Sequence, residues 1–300
     1  MKKIMAGLLA VSMVFGAGGV LGNMSSDVFT LTASADNEKP TTGKYGDNVT
    51  WTISEDDTLT ISGEGDMYNV QTSALWYKKY DIKKIVIEKG VTSVGDSLFE
   101  SHENLTSVSI ADTVKRIGGY SFGLCENLTE INIPNSVTEI GAYAFTRCIG
   151  LTNITIPPDS VTSIEECAFL SCKGIKAVTI PASVENIGDH SFGYTVNSAT
   201  REYEKYNGFT IIGYKGTAAE KYAEENGFKF IDLKKVGKKG DVNGDNEINV
   251  TDIAKTAAHI KGKKLLTDEQ KFRADVNNDG NISVADISGI AANIKGKKML

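Results

Sequence analysis

Near the carboxyl terminus, oxygen-bearing residues recur at the spacing of a twelve-residue calcium loop. Positions 1, 3, 5, 9 and 12 of such a loop supply side-chain oxygens, and position 7 supplies its backbone carbonyl. The first candidate ligand set is Asp241, Asn243, Asp245, Glu247, Asn249 and Asp252. Calcium is a hard cation that takes six to eight oxygen ligands. The spacing therefore predicts a calcium site.

The same pattern begins again 34 residues later. The second ligand set is Asp275, Asn277, Asp279, Asn281, Ser283 and Asp286. Gly280 stands at position 6 of this loop, where the backbone turns sharply, and Asn246 takes that position in the first loop. Asn tolerates a positive φ, so both loops can make the turn. Two matched loops predict two calcium ions, whereas the alternative is a solvated acidic turn.

Each loop is followed by a segment with helical character, IAKTAAHIKGKK after the first and ISGIAANIKGKK after the second. No helix is predicted before Asp241, because residues 233–239 have the composition of a linker. Residues 241–264 and 275–298 are identical at 15 of 24 positions. Such a short module has little core, so metal binding is expected to supply much of its folding energy.

This loop-then-helix duplication, with Asp at position 12, resembles the type I dockerin over residues 240–300. The resemblance implies a module that folds on two calcium ions and binds a cohesin module of a scaffoldin in a cellulosome. The cohesin contacts it implies are Val250, Thr251, Ala257, Ala258 and Lys261, and in the second copy Val284, Ala285, Ala291, Ala292 and Lys295. The internal two-fold implies that either helix can face the partner.

The alanine pairs depart from the commonest dockerin pattern, in which bulky basic residues stand at those positions. A small apolar surface favours a cohesin with a complementary apolar plateau. The alternative is that Ala257, Ala258, Ala291 and Ala292 pack inside the dockerin.

The middle of the chain repeats with a period of 23 residues, and one copy carries an extra residue near Pro157. Five copies begin at Ile82, Leu105, Leu128, Leu151 and Ile175. In each copy an alternating L-x-x-I-x-I run predicts a strand, V-x-x-I-G predicts a second extended segment, and the A/S-F pair predicts a turn or short helix. Stacked copies would share one core, so the pattern predicts a solenoid with parallel strands.

This pattern resembles the leucine-rich repeats of treponemal and BspA-like bacterial surface proteins. The predicted fold is an α/β repeat solenoid of leucine-rich repeats, followed by a small all-α dockerin with two EF-hand-like calcium loops. The resemblance implies a curved scaffold that binds other molecules. The domain boundaries are 1–35 for a signal peptide, 36–81 for an N-terminal cap, 82–194 for the repeats, 195–232 for a C-terminal cap, 233–239 for the linker and 240–300 for the dockerin.

The first 35 residues have the features of an export signal. Lys2 and Lys3 precede an apolar stretch over residues 4–21, and Ala33, Ser34 and Ala35 offer a cleavage site. An uncleaved membrane anchor is the alternative. The prediction is a secreted protein, associated with a cellulosome at the bacterial cell surface. A net charge of −6 argues against a strongly basic nucleic-acid binder.

Both ends of the repeats are predicted to be capped. The VTWTI and TLTI segments predict a hairpin before the first copy. After the last copy, residues 195–208 predict a loop, and FTIIGY and FKFIDL predict two strands. A helix between these strands is predicted to begin with a capping box at Thr217 and to end at Gly227.

The four cysteines follow the repeats. Cys125, Cys148 and Cys172 occupy one repeat position and are predicted to form a buried ladder of free thiols, with a disulfide between adjacent rungs as the alternative. Cys167 stands at another position, where it is interpreted as a packing substitution. The three histidines form no zinc pattern with these thiols.

The sequence predicts no catalytic residues. The polar strand positions of the repeats favour recognition of a protein, so the chain is interpreted as a non-catalytic cellulosomal component with a protein-recognition surface. A carbohydrate-targeting module is the alternative, with Trp76, Tyr77 and Tyr80 as stacking candidates. A cryptic polysaccharide hydrolase is a third, although Glu165 and Glu166 are interpreted as a turn variation.

Overall fold

The computed structural model describes residues 42–69, 81–277 and 281–296. The predicted signal peptide, the aromatic residues Trp76, Tyr77 and Tyr80, and the predicted ligand Asp279 lie outside these residues. Within the described ranges, no helix has both the length and the apolar character needed to cross a membrane.

A hairpin closes the amino-terminal end of the repeats, as predicted. Strand β1 (Thr42–Lys44) pairs antiparallel with β2 (Asn48–Ile53), which pairs antiparallel with β3 (Thr58–Asp66). β3 then runs parallel to the first strands of the repeats. The side chains of Trp51 and Leu59 are buried, so the hairpin covers the apolar end of the core.

Each repeat adds one rung to two rows of parallel strands, which confirms the predicted solenoid. The first row begins as a continuation of β3 with β4 (Lys84–Ile87), β6 (Ser107–Ile110) and β8 (Glu130–Asn132), and it ends as a separate three-stranded sheet of β11 (Ala177–Thr179), β15 (Thr210–Gly213) and β16 (Lys229–Asp232). The second row contains β5 (Val91–Val94), β7 (Arg116–Ile117), β9 (Glu139–Ile140), β10 (Ser163–Ile164) and β12 (Asn186–Ile187).

Register in the rows follows the repeat period. Ile85 pairs with Val108, and Val108 pairs with Ile131, so equivalent apolar residues lie on one another. In the copy with the extra residue, the first row is reduced to a single bridge between Thr155 and Thr179.

Turns, rather than helices, connect the second row back to the first row in the next copy. One phenylalanine from each turn enters the core, and neighbouring rings stack with centroids 4.8–5.6 Å apart. The members of this ring stack are Phe99, Phe122, Phe145, Phe169 and Phe192. All five side chains are buried, so they form the axis of the continuous core.

The carboxyl-terminal cap differs from the prediction in two places. Residues 195–208, predicted as a loop, contain an antiparallel hairpin of β13 (Tyr194–Val196) and β14 (Tyr203–Lys205). The predicted capping box is also wrong. The Thr217 hydroxyl donates to the Tyr214 carbonyl at 2.6 Å and makes no cap of helix α1 (Ala218–Asn226).

The other features of this cap are confirmed. Gly227 ends α1 in the left-handed conformation, with φ 63°. Strands β15 and β16 follow the predicted apolar segments, and they pair in parallel with the last rungs of the first row.

The carboxyl-terminal module is small and helical. Its helices α3 (Val250–Ile260) and α5 (Val284–Ile294) follow the two loops, as predicted. Two further helices were not predicted. A single turn, α2 (Leu233–Val236), lies in the predicted linker, and α4 (Asp268–Ala274) precedes the second loop.

Candidate functional site

The first predicted calcium loop folds around the buried carboxylate of Asp241. Its Oδ1 accepts the backbone N–H groups of Gly244 and Asp245 at 2.7 and 3.1 Å, and its Oδ2 accepts that of Asn246 at 2.9 Å. Asn246 has φ 71°, so the left-handed turn expected at position 6 is present. The loop therefore wraps the position-1 carboxylate by backbone donation.

Position 12 closes both loops. Asp252 Oδ1 accepts the N–H of Asn243, and its Oδ2 accepts the N–H of Asn249, both at 2.9 Å. Asp286 Oδ2 accepts the N–H of Ser283 at position 9 in the same way, at 2.9 Å, whereas its Oδ1 accepts the N–H of Val276 at position 2, at 3.0 Å. Both carboxylates are wholly buried. Each also completes a capping box, so the loop and the start of the following helix share one side chain.

The remaining predicted ligands of the first loop lie at its surface. Asn243 Oδ1 accepts the Asp245 N–H at 2.9 Å, and Asp245 Oδ1 accepts the Glu247 N–H at 2.9 Å. In the second loop, Asp275, Asn277, Asn281, Ser283 and Asp286 lie in the described residues, whereas Asp279 does not. The second ligand set is therefore placed only in part.

Buried negative charge is the electrostatic signature of these loops. Asp241, Asp252 and Asp286 are at most 1% exposed, and none forms an ion pair with Lys or Arg in the described part of the chain. Burying a carboxylate without a cation is costly. An oxygen-rich loop around such a carboxylate fits calcium chemically.

Within residues 42–69, 81–277 and 281–296, no three His, Cys, Asp or Glu side chains gather as a metal cage. Coordination in the first loop would therefore need the amide and carbonyl oxygens of the predicted set as well.

Apolar residues join the two loops into one module. Ile248 and Ile282, at position 8 of each loop, pack against a core of Val242, Leu266, Ala274 and Ile290. This core is small, and half of it is Val and Ala. The module therefore has little apolar burial to hold it folded without a ligand.

The predicted cohesin-contact residues form two equivalent surfaces. Val250 and Val284 are 68% and 67% exposed, and Thr251, Ala285, Lys261 and Lys295 are also exposed. The four alanines of the pairs are half-buried, so they are neither fully open to a cohesin nor fully packed inside the dockerin. They are Ala257, Ala258, Ala291 and Ala292. Two valines at symmetric positions thus provide apolar surface that the described residues leave mostly exposed.

The first strand row presents a polar face. Its outward residues are Thr106, Ser107, Ser109, Thr129, Glu130, Asn132, Thr152, Asn153 and Thr155, and all are exposed except the half-buried Ser107. Thr106 and Thr129 donate their hydroxyls to the backbone carbonyl of the preceding rung, at 3.0 and 3.2 Å. Part of this polar face therefore ties the rungs together.

A row of aromatic side chains lies on the turns, which the sequence analysis did not identify as a surface. Tyr120 and Tyr143 stack with centroids 4.6 Å apart, and Tyr203 of β14 stacks on His190 at 3.9 Å. Hydrogen bonding with Cys167 and with Tyr203 raises the pKa of Tyr143. We call Tyr120, Tyr143, His190 and Tyr203 the aromatic row.

This row depends on an unusual backbone conformation. The repeat position that holds it adopts φ between 54° and 58° in each turn, at Ser97, Tyr120, Tyr143, Cys167 and His190. Tyr120 and Tyr203 are 38% and 43% exposed. The hairpin missed by the sequence analysis thus contributes a ring to the row.

The cysteine ladder is present, and its thiols are free. Cys125, Cys148 and Cys172 each donate to the carbonyl of a phenylalanine in the preceding copy, at 3.3, 3.1 and 3.0 Å. Burial raises the pKa of Cys125 and of Cys172 to about 12, and it raises that of Cys148 as well. These thiols are structural, because a protonated buried thiol is a poor nucleophile.

One cleft of about 560 Å³ lies between the second strand row and α1. Its charged lining residues are Glu165, Glu166, Glu185, Lys221 and Glu225. Glu165 Oε2 accepts the backbone N–H of Ala142 at 2.9 Å, and Lys221 lies 3.9 Å from Glu225. Two of its four carboxylates therefore have structural partners.

Family models match both parts of the chain. The BspA type leucine rich repeat region matches residues 70–200 in six copies, one more than the period identifies. The dockerin type I domain matches residues 239–295. No curated protein matches the chain.

Two solved structures are similar to the repeats. The leucine rich repeat protein of T. pallidum is 26% identical, covering 47% of this chain and 62% of its own length, with a TM-score of 0.37. A leucine rich cell surface protein of Faecalibacterium prausnitzii is 22% identical, covering 60% of this chain and 66% of its own, with a TM-score of 0.34.

The chain therefore carries a BspA-type leucine-rich repeat region and a carboxyl-terminal type I dockerin domain. Both are non-catalytic domain types. Type I dockerins bind calcium, and a dockerin implies a cohesin partner in a cellulosome-like assembly.

Proposed function

We propose that this protein is a secreted, non-catalytic component of a cellulosome, attached by its dockerin to a cohesin module of a scaffoldin. The observation that carries the proposal is the pair of position-12 carboxylates, Asp252 and Asp286, which are buried and form no ion pair in the described residues. Two calcium ions, one in each loop, would neutralise them and hold the loops closed.

The cohesin surface is proposed to centre on Val250 and Val284. Burying an exposed valine against a partner removes apolar surface from water, which contributes about 1.5–3 kcal/mol. Each valine is the first residue of the helix that follows its loop, and neither belongs to the small apolar core of the dockerin. Because the two copies match, either surface can meet the partner.

Replacing Val250 and Val284 together with Asp is expected to lower cohesin affinity by about 30-fold or more, since burying a valine side chain contributes about 2 kcal/mol. Each single substitution leaves the other surface intact and is expected to change the affinity only a few-fold. Calorimetric titration of the full chain with a cohesin that binds the wild type measures both effects.

The matched control for these substitutions is Val196→Asp, because Val196 is an exposed valine of the repeat-domain hairpin. It is expected to leave cohesin binding unchanged. If the double variant binds as tightly as the wild type while calcium still binds, the contact surface lies elsewhere.

The repeat domain is proposed to present a protein-recognition surface. The polar face and the aromatic row are its two candidate regions. In the aromatic row, Tyr120 and Tyr143 cover one face of each other's ring, as do Tyr203 and His190. A sugar ring stacks on an open aromatic face. The exposed Ser, Thr, Asn and Glu side chains of the first strand row support a protein ligand over the alternative of carbohydrate targeting.

Hydrolysis of polysaccharide is the weaker alternative. A glycosidase needs two carboxyl groups placed across its substrate, one of them free to donate a proton. The cleft beside α1 gathers four carboxylates, but Glu165 is held by the backbone N–H of Ala142, and Glu225 lies in an exposed ion pair with Lys221. The non-catalytic assignment is therefore preferred.

A further inference from the structure

The predicted linker forms part of a packed junction between the two modules. Strand β16 leads directly into α2, whose first turn is capped by Asp232 through a 3.1 Å bond from the Lys234 N–H. The side chain of Val236 is completely buried. A flexible tether would leave such a residue in water, so α2 belongs to the end of the repeat domain.

An apolar cluster separate from the main core lies at this end of the repeat domain, and the dockerin contributes to it. Ile212, Ile231 and Val236 are buried in the cluster, and Leu233 and Phe272 pack against them. Phe272 belongs to α4, the helix that precedes the second calcium loop. Ile212 and Ile231 pair with each other and follow Ile211 and Phe230, which face the main core, so they lie on the opposite, outward face of β15 and β16. Here α4 of the dockerin covers that apolar outward face.

Polar contacts fix α4 in the same position. The Arg273 guanidinium donates to the Val236 carbonyl at 2.9 Å, and the Gly240 N–H donates to the Arg273 carbonyl at 2.8 Å. The Lys239 ammonium donates to the backbone carbonyl of Asp275 and lies 3.9 Å from the centre of the Phe272 ring. These bonds join residues on both sides of the junction.

Both calcium loops adjoin α4. Asp275 is the cap residue at its carboxyl-terminal end and also the first predicted ligand of the second loop. The Arg273 guanidinium packs closely against Gly244 of the first loop. A Cβ atom on Gly244 would lie 3.2 Å from it. Ordering either loop therefore restricts the residues that hold α4 against the repeat domain.

We infer that α4 holds the dockerin in a fixed position against the end of the repeat domain, and that calcium binding stabilises this contact. The inference rests on the proposed calcium binding. Two sites that stabilise the same arrangement stabilise each other by the same factor. Calcium would therefore convert two tethered modules into one unit with a fixed orientation. Val250 and Val284 lie on α3 and α5, so the contact of α4 with the repeat domain leaves the proposed cohesin surfaces exposed.

Hydrogen exchange of the full chain tests this coupling. In the wild type, amide protection over residues 229–236 is expected to fall by more than about five-fold when EDTA removes calcium. Phe272→Ser is expected to show the lower protection even in calcium. Leu265→Ser is the matched control, because Leu265 is a 75% exposed apolar residue of the same module outside the cluster.

A second variant approaches the junction from the other side. Leu233→Ser alters only the repeat-domain part of the cluster, so the dockerin keeps its own sequence. Calorimetry is expected to show its calcium affinity weakened by about five-fold or more, since coupling is reciprocal.

The outcomes separate this inference from the proposed function. Calcium binding that leaves protection over residues 229–236 unchanged, together with normal calcium affinity in Leu233→Ser, would overturn the coupling and leave the proposed function intact. Absence of calcium binding in the wild type would overturn the proposed function. It would also overturn the calcium dependence of the contact between α4 and the repeat domain.

Discussion

Replacing Asp252 and Asp286 together with alanine is expected to leave the dockerin unable to fold on calcium. Each carboxylate is buried, and each holds two backbone N–H groups that would lose their acceptor. Each is also the predicted position-12 ligand of its loop. The dissociation constant for calcium is expected to rise more than about 100-fold, because ligand charge and number set the affinity of such loops.

Calcium titration with far-UV circular dichroism measures this loss, since α3, α4 and α5 hold 11, 7 and 11 residues. Asp189→Ala, which removes an exposed carboxylate from the repeat domain, is the control and is expected to titrate like the wild type. A double variant that gains helix at the wild-type calcium concentration would show that these aspartates are not ligands.

Replacing Phe145 with alanine is expected to lower the free energy of unfolding of the repeat domain by about 3–5 kcal/mol. Phe145 is completely buried and stacks between Phe122 and Phe169, with centroids 5.6 and 5.1 Å away. The substitution opens a cavity at the middle of the ring stack, and neighbouring rungs on both sides lose a contact.

Denaturant unfolding in excess calcium, followed by near-UV circular dichroism, measures the change. Tyr214→Ala is the matched control, because Tyr214 is an exposed aromatic residue of the cap, and its effect is expected to stay within about 0.5 kcal/mol. A Phe145→Ala protein as stable as this control would mean that the ring stack does not hold the copies together.

The repeat period allowed most of the solenoid to be predicted. A strand that alternates Leu and Ile on one face has a single way to pack against its copy 23 residues later, and the pairing of Ile85 with Val108 follows from that. The missed hairpin of β13 and β14 lacks this signal. Its strands have three residues each, and most of their side chains are exposed.

Of two similar capping segments in the sequence, only one forms a capping box in the structure. The T-D-E-Q segment from Thr267 is a true capping box, and it marks the start of α4, which the sequence analysis overlooked. The similar T-A-A-E segment at Thr217 is not one, because Glu220 instead accepts the N–H of Gly216 at 2.8 Å. The same short pattern has two outcomes because neighbouring groups compete for the same donors.

At the candidate site, spacing predicted which residues form the first loop, and the structure brings Asp241 and Asp252 together there with the backbone. Spacing could not predict the junction, because Phe272 of the dockerin packs against a cluster that contains Ile212 and Ile231 of the repeat domain. The aromatic row was hidden for a similar reason. Tyr120 and Tyr143 share a repeat position, but Tyr203 comes from the hairpin outside the period.

Calorimetric titration of the full chain against a panel of cohesins, first in calcium and then in EDTA, tests the central claim most directly. We expect tight binding to at least one cohesin in calcium and no binding after EDTA is added. If the chain binds none of the cohesins while both loops hold calcium, the assignment to a cellulosome is contradicted.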